Sequence, residues 1–552
     1  MSFLDKMTLF YNNKFHMVIL ILLVTSFIHL WNPTGFPNVH VDEGTYMFRA
    51  MHLLSTGNID WNASFYDHPY FGPILLAGML YVINFPAIIT SEIQNDSPIY
   101  SSYFIPRIII GIFAILDTIL IYAITKIRYG RNAAIISALL FSVMPFTWGL
   151  RRIYLESLLY PLLLSSILIV LYLNSCKSLK PKKISRLLIL FSGVLLGLAI
   201  FTKAPAVTMI PLLAFYSYKY NRKIIHVVLF LVPVIIVPFL WPFDAMLKGE
   251  FQQWVLGLTS QIDRQNDSIV DSLYDIFLID PIILSLGLIG TAFAIIKRDF
   301  FIVFGIIPFI AFFSFFISYL NWFYFIPIFG FLCISSGVLL EWIIKHLQRY
   351  GVATVLIPSI VIALGILSTY VLISTDIASF QFVAMSYINT ILEKDSKNHT
   401  VIENNSGAQS SKYNELIQDN DFQKEAKHIE GSENSKSIVI IASPIYSWIY
   451  KFVYLYEDTF YSYTDNTEIK NGSKIILVLD RYFRDYLANN LESRNKSWNE
   501  NLGTSDKLYK VIGELNSSKY FTGTSRNFDF YQYPYTSMRF NLGGSPIEIR
   551  SN

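Results

Sequence analysis

The sequence predicts a polytopic α-helical membrane protein of about eleven or more transmembrane helices, followed by a small extracytoplasmic α/β C-terminal domain. Three observations predict it. The 552 residues are 53% hydrophobic and 15% charged, with mean hydropathy +0.43, too apolar for a soluble domain of ordinary composition. Apolar runs near the ~20 residues that a bilayer requires recur from the N-terminus to about Ser374. Every second loop between them is basic. The formal net charge of +3 is too small, and the basic runs too short, for a nucleic-acid-binding arm. Cys176 and Cys333 lie in or beside apolar runs and suggest neither a disulfide framework nor a thiolate metal site.

The first run, Val18 to Trp31, follows Lys6 and Lys14 and reads as an anchor with a cytoplasmic N-terminus, because Asn32 to Asn38 lack a small-x-small cleavage pattern. Further runs cover Ile108 to Ile124, Ala133 to Trp148, Ser157 to Leu173, Leu187 to Thr202 and Ala206 to Tyr216. Then come Ile225 to Phe243, Ile276 to Ile296, Phe300 to Ile317, Tyr324 to Ile344 and Val352 to Ser374. Lys126, Arg128 and Arg131 mark one inner loop; Lys177 to Arg186, Lys219 to Lys223, Lys297 with Arg298, and Lys345 with Arg349 mark the others. Counting Gly72 to Ile89 as a span would turn all of these loops outward, so it reads as interfacial or re-entrant. Residues 1–375 then form the membrane domain, with a large first outer loop over 32–107, and residues 376–552 an outer domain. The N-x-S/T triplets at Asn62, Asn95, Asn266, Asn398, Asn404, Asn471, Asn495 and Asn516 all fall in outer segments. Composition turns polar near Asp376, while Ser437 to Ala442 and Lys474 to Leu479 keep strand character.

Charges at the outer ends carry the functional reading, since an ionisable group at a membrane boundary is costly without a partner. V-H-V-D-E-G-T-Y, Val39 to Tyr46, places Asp42 and Glu43 just after the first span. Such a pair could supply a general base and a second polar contact, or could be an acidic helix N-terminus. Arg151, Arg152 and Glu156 suit phosphate recognition, or an Arg–Glu pair closing a helix end. Lys203 and Arg264 are outer cations that, taken alone, read first as a snorkelling anchor and a solvated loop charge respectively. Asp67-His68-Pro69 could hold a sugar hydroxyl or a divalent metal, though two residues make no coordination shell, or could simply cap the next helix. Tyr319, Trp322 and Tyr324 suit an interface belt or sugar stacking.

In their order along the chain these residues resemble the C-type glycosyltransferase (GT-C) superfamily, especially its branch of protein O-mannosyltransferases and the lipid A aminoarabinose transferase. Val41-Asp42-Glu43-Gly44-x-Tyr46 is similar to the family's acidic motif of the first outer loop, and Asp67-His68-Pro69-Tyr-Phe-Gly72 to the segment that follows it. Arg107 opens the second span as in the family. Arg151-Arg152-Ile-Tyr-Leu-Glu156, Thr202-Lys203-Ala204-Pro205 and Trp322-Phe-Tyr324-Phe-Ile-Pro327 resemble its later outer motifs. The likeness covers about Met17 to Glu341. Pro69-Tyr70 in place of a double proline, Ala204 in place of glycine and Glu156 in place of aspartate bear on the acceptor more than on the chemistry. A W-W-D motif is missing, which argues against transfer of a whole glycan to asparagine.

The resemblance implies transfer of a hexose such as mannose from a polyprenyl- or dolichyl-phosphate donor to an acceptor hydroxyl of protein, lipid or glycan at the outer face. Asp42 would be the general base. Arg151, Arg152, Lys203 and Arg264 would hold the donor phosphate. Glu43, Tyr46, Asp67, His68, Glu156 and Tyr324 would contact sugar or acceptor. No cofactor is demanded, and a divalent metal stays open. The rival class is a transporter or flippase of lipid-linked sugars, which would carry polar groups near mid-membrane and often related halves.

Overall fold

A computed structural model describes residues 14–59, 66–85, 98–176, 181–262, 269–315, 321–347, 353–399, 438–453, 460–462, 474–480, 483–484, 516–521 and 547–551. Helices α1 (Lys14–Leu30), α2 (Val41–Thr56), α3 (Phe71–Val82), α4 (Pro98–Tyr129), α5 (Arg131–Val143), α6 (Leu155–Ser175), α7 (Lys182–Thr202), α8 (Ile210–Asn221) and α9 (Ile224–Leu247) come first. They are followed by α10 (Phe251–Ile262), α11 (Ile269–Ile279), α12 (Pro281–Ile296), α13 (Phe300–Phe315), α14 (Ile326–Leu347), α15 (Ala353–Ile373) and α16 (Ser379–His399). The chain is an integral membrane protein. The runs expected to span are largely helical where described, and among the described residues six helices are long and apolar enough to cross a membrane, or seven if α5 and the turn after it count as one. Four further apolar helices are shorter, α3 among them.

Proline shapes the break after α5. Pro145 lacks an N–H and excludes its predecessor from helical geometry, so Met144 is extended (φ −68°, ψ 141°) and the 3-10 turn Pro145–Arg151 bends by 67°. That turn brings Arg151 and Arg152 back to the start of α6. Helix α14 with its leading turn from Trp322 is 94% buried in its apolar stretch and forms the bundle's centre, whereas α9 and α15, at 28%, present apolar faces outward as lipid-facing helices do. Gly193 and Gly197, one turn apart on α7, let the α9 backbone approach at Phe230 and Pro233, where a Cβ would collide.

The predicted outer end collects the motif residues. Along α4, Arg107 and Arg128 are separated by 21 residues, roughly 30 Å of helix, and the Arg128–Asp299 pair (3.1 Å) closes the basic end. At the other end α2 and α3 lie over the bundle, and α3 packs on α6 and α7.

Among the described residues the last part of the chain forms a five-stranded sheet from β1 (Ile438–Ala442), β2 (Phe460–Ser462), β3 (Lys474–Leu479), β4 (Asn516–Phe521) and β5 (Ile547–Ser551), in the order β2-β1-β3-β5-β4. β1 runs parallel to β2 and β3, while β5 is antiparallel to β3 and β4. The short helix α17 (Pro444–Trp448) follows β1. Ile440, Ile476 and Ile549 of the sheet share one buried cluster with Tyr46 and Met47 of α2, Leu76 of α3 and Met385 of α16.

Candidate functional site

Asp42 sits in the first turn of α2, on a helix whose start is fixed by its own residues. The Asp42 N–H donates to Nδ1 of His40 at 3.2 Å, and the Glu43 carboxylate accepts the His40 N–H at 3.2 Å, a reciprocal cap. Because Nδ1 of His40 accepts that bond, the 3.8 Å approach of the Asp42 carboxylate to the same nitrogen is not a proton-sharing pair through Nδ1. The Asp42 side chain keeps 34% exposure, whereas Glu43 beside it has none.

Glu43 faces inward. Arg107 grips it bidentately, Nε to Oε2 at 3.0 Å and Nη2 to Oε1 at 2.8 Å, and the Ile153 N–H donates to Oε2 at 3.3 Å. The remaining guanidinium hydrogens of Arg107 go to the carbonyls of Pro33, Pro37 and Asn38. Burial would push the Glu43 carboxyl up, but Arg107 and Arg152 hold it below the ordinary range. Glu43 was expected to contact sugar or acceptor; in this structure both of its oxygens pin the first outer loop to α4 and to the chain before α6.

Arg151, expected at the donor phosphate, is engaged with backbone. Its Nη1 donates to the Ile28 carbonyl at 2.8 Å and its Nη2 to the carbonyls of Trp31 and Asn32, so it closes the C-terminus of α1. Arg152 donates to Oδ1 of Asn38 at 2.6 Å, lies 3.6 Å from Glu43, and stacks over Trp148 and Tyr154.

Two further ion pairs stand near Asp42. Lys203, in extended backbone where α7 ends, bonds Glu156 from the first turn of α6, and its ammonium lies 4.2 Å from the Tyr324 ring centroid and 5.3 Å from that of Phe323. Arg49 donates to Oδ1 of Asp67 at 2.7 Å, and the same oxygen accepts the His68 N–H at 2.8 Å. Asp42, Tyr46 and Arg49 are at i, i+4 and i+7, one face of α2. Charge coupling ties the groups together. Burial raises the Tyr46 hydroxyl well above its ordinary range, and the carboxylates of Asp42, Glu156 and Asp67 add to the rise. Burial lowers His68 to about 4 against the pull of Asp67, with Lys203 and Arg49 acting in the same direction as burial. Asp67, despite burial, is held low by Arg49.

The structure thus brings together Asp42, Tyr46, Asp67, His68, Glu156, Lys203 and Tyr324. Arg264 lies outside the described residues. Among the described residues no three His, Cys, Asp or Glu side chains converge as metal ligands do. Three participants escaped the sequence reading. Arg49 was available from the seven-residue spacing to Asp42. His40 and Phe323, whose rings meet at 6.3 Å, had no signal beyond standing next to Asp42 and Tyr324.

A family model described as dolichyl-phosphate-mannose-protein mannosyltransferase matches residues 99–242, the stretch that holds Arg107, Arg151, Arg152, Glu156 and Lys203. A search of curated proteins finds no significant match. Among solved structures, the oligosaccharyltransferase of Archaeoglobus fulgidus in its apo form superposes with TM-score 0.53 at 12% identity, over 94% of this chain and 76% of that one. In two liganded oligosaccharyltransferase structures from the same organism the chain spans only 61% and 64% of the other chain's length. ArnT from Cupriavidus metallidurans, bound to undecaprenyl phosphate, superposes with TM-score 0.51 at 14% identity, over 86% of this chain and 94% of that one. The chain has the fold of the C-type glycosyltransferase superfamily.

Proposed function

We propose that the chain is a membrane glycosyltransferase that moves a hexose, mannose in the first instance, from a polyprenyl- or dolichyl-phosphate carrier to an acceptor hydroxyl at the extracytoplasmic face. The observation that carries this reading is the half-exposed Asp42 carboxylate on the same side of α2 as Arg49, coupled to Lys203–Glu156 and Arg49–Asp67. A base must reach the acceptor proton, and Asp42 is the most exposed carboxylate of this group, at 34% of its side chain against 12% for Asp67 and 2% for Glu156.

Asp42 takes the proton of the acceptor hydroxyl as that oxygen bonds to the anomeric carbon and the carbon–oxygen bond to phosphate breaks. Negative charge grows on the leaving phosphate. Lys203 and Arg152 are the cations assigned to it, each placed over aromatic faces that limit where the charge can sit. Glu156 orients Lys203, and Asp67 with His68 contacts the sugar or acceptor. His68 is neutral above about pH 4, so it can accept or donate a hydrogen bond without opposing a cation. Tyr46 and Tyr324 offer a hydroxyl and a ring face. Glu43, Arg107 and Arg151 hold the loop. The family match and the lipid carrier bound by ArnT support the donor class, and the peptide tethered in one oligosaccharyltransferase structure makes a protein acceptor the first to try.

The basic loops at the far end of the bundle support an outer location for this site under the positive-inside bias. The test is transfer of radiolabelled sugar from polyprenyl phosphate to membrane acceptors by the purified protein, with mannose, glucose and aminoarabinose carriers compared. Lack of transfer with all three, alongside carrier translocation in vesicles, would favour the transporter reading.

A further inference from the structure

The C-terminal region grips α2 on both sides of Asp42. Upstream, the Ile377 and Ala378 N–H groups donate to the Gly35 carbonyl at 2.8 and 3.1 Å. The buried Gln381 side chain then pairs with Val39, accepting its N–H at 2.8 Å and donating to its carbonyl at 3.2 Å. Downstream, Gly44 meets the start of α17 so closely that a Cβ there would lie 2.6 Å from the Pro444 carbonyl oxygen and 2.6 Å from the Ile445 Cα. Those are backbone atoms, which cannot rotate aside. Tyr103 of α4 locks the same turn, donating to the Ile445 carbonyl at 2.9 Å and accepting from Nε1 of Trp448 at 3.0 Å, both side chains fully buried. Phe48, one turn beyond Gly44, packs on Phe452 at 5.2 Å.

Asp42 lies three residues after Val39 and two before Gly44. We propose that the C-terminal region sets the position of the Asp42 carboxylate through these two contacts, so that Gly44 and Gln381 are positioning residues for transfer. This rests on the reading of Asp42 as the base. The physical argument is leverage. A half-exposed carboxylate in the first turn of a helix has little side-chain packing to hold it, and its placement is inherited from the backbone on either side. That backbone is held by atoms some 340 to 400 residues later in the chain. The glycine of the Asp-Glu-Gly triplet then has a use that the outer loop by itself does not give it.

Two variants and two readouts test the idea in the full-length protein. Gly44→Ala forces the α17 backbone off α2, and Gln381→Leu removes both side-chain bonds to Val39. In each, kcat for transfer is expected to fall about tenfold to a hundredfold while the donor KM stays within about twofold, the mark of a misplaced base rather than a lost binding contact. Hydrogen exchange reads the clamp without any assay of transfer: amides of Thr45 to Met51 should exchange at least about tenfold faster in either variant, while those of α6 keep their parental protection. Folded variants with parental kcat and parental exchange would overturn the proposal. If the parent transfers no sugar, the reading of Asp42 as a base fails, and the exchange result by itself decides for or against the clamp.

Discussion

The Lys203 ammonium bonds the Glu156 carboxylate and lies 4.2 Å from the centroid of the Tyr324 ring, so one buried cation joins the ends of three helices that are distant in sequence. Removing it has two separable effects. Lys203→Met strands Glu156 as a buried charge, which costs about 3–5 kcal/mol and lowers the melting temperature. Replacing Glu156 by leucine in the same chain should restore most of that stability but not the transfer rate, which is expected to stay at least about a hundredfold down if Lys203 faces the leaving phosphate. Thermal unfolding and transfer on the single and double variants check both halves; recovery of transfer in the double variant would remove Lys203 from the chemistry.

Arg107 uses its planar fork on Glu43 and on three backbone carbonyls. A lysine cannot reproduce that geometry. Arg107→Lys should therefore destabilise the protein by about 3 kcal/mol or more, as loss of a buried bidentate pair does, measured as the fall in melting temperature at constant detergent. Little change would mean that the loop is held elsewhere.

For Arg151, whose donors end on the carbonyls of Ile28, Trp31 and Asn32, the outcome should be structural. Arg151→Gln lowers stability by about 1–3 kcal/mol per buried carbonyl left without a donor, and leaves the donor KM of the folded fraction unchanged. A rise in donor KM of tenfold or so would return Arg151 to the phosphate.

These three residues also show what a sequence can and cannot tell. The spans, the alternation of basic loops and the candidacy of Asp42, Lys203 and Glu156 were legible because hydropathy, charge and order along the chain carry them. Arg49 was legible too, one helical face away from Asp42, and needed only the i+7 count. The pairing of Glu43 with Arg107 joins residues 64 apart, and nothing local separates Glu43 from its exposed neighbour. Arg151 binds backbone carbonyls, which every residue has, so no residue type could announce the contact. The partner of Gly44 lies 400 residues downstream in a region that reads only as polar with short strands. Hydropathy by itself does not fix the number of spans, because a buried bundle helix can be shorter than the bilayer and still be as apolar as a crossing one.

His68 gives a pH signature. Its folded value, near 4, is below the ordinary 6.5 of the unfolded chain. The unfolded state therefore binds more protons between those limits, and stability falls as pH drops from about 6.5 to about 4, by at most ~1.4 kcal/mol per pH unit and less because the ring is partly exposed. Below about pH 4 this contribution is gone. His68→Gln should flatten the curve across that window, as measured by melting temperature against pH; an unchanged slope would mean that other groups carry it.

The most direct measurement compares the parent with Asp42→Asn for sugar transfer from a polyprenyl-phosphate hexose, at matched melting temperature and matched donor binding. Asparagine keeps the shape and cannot take a proton. The account predicts that kcat falls about 10² to 10⁴-fold with donor binding intact, and an Asp42→Asn variant that transfers sugar at the parental rate would contradict it.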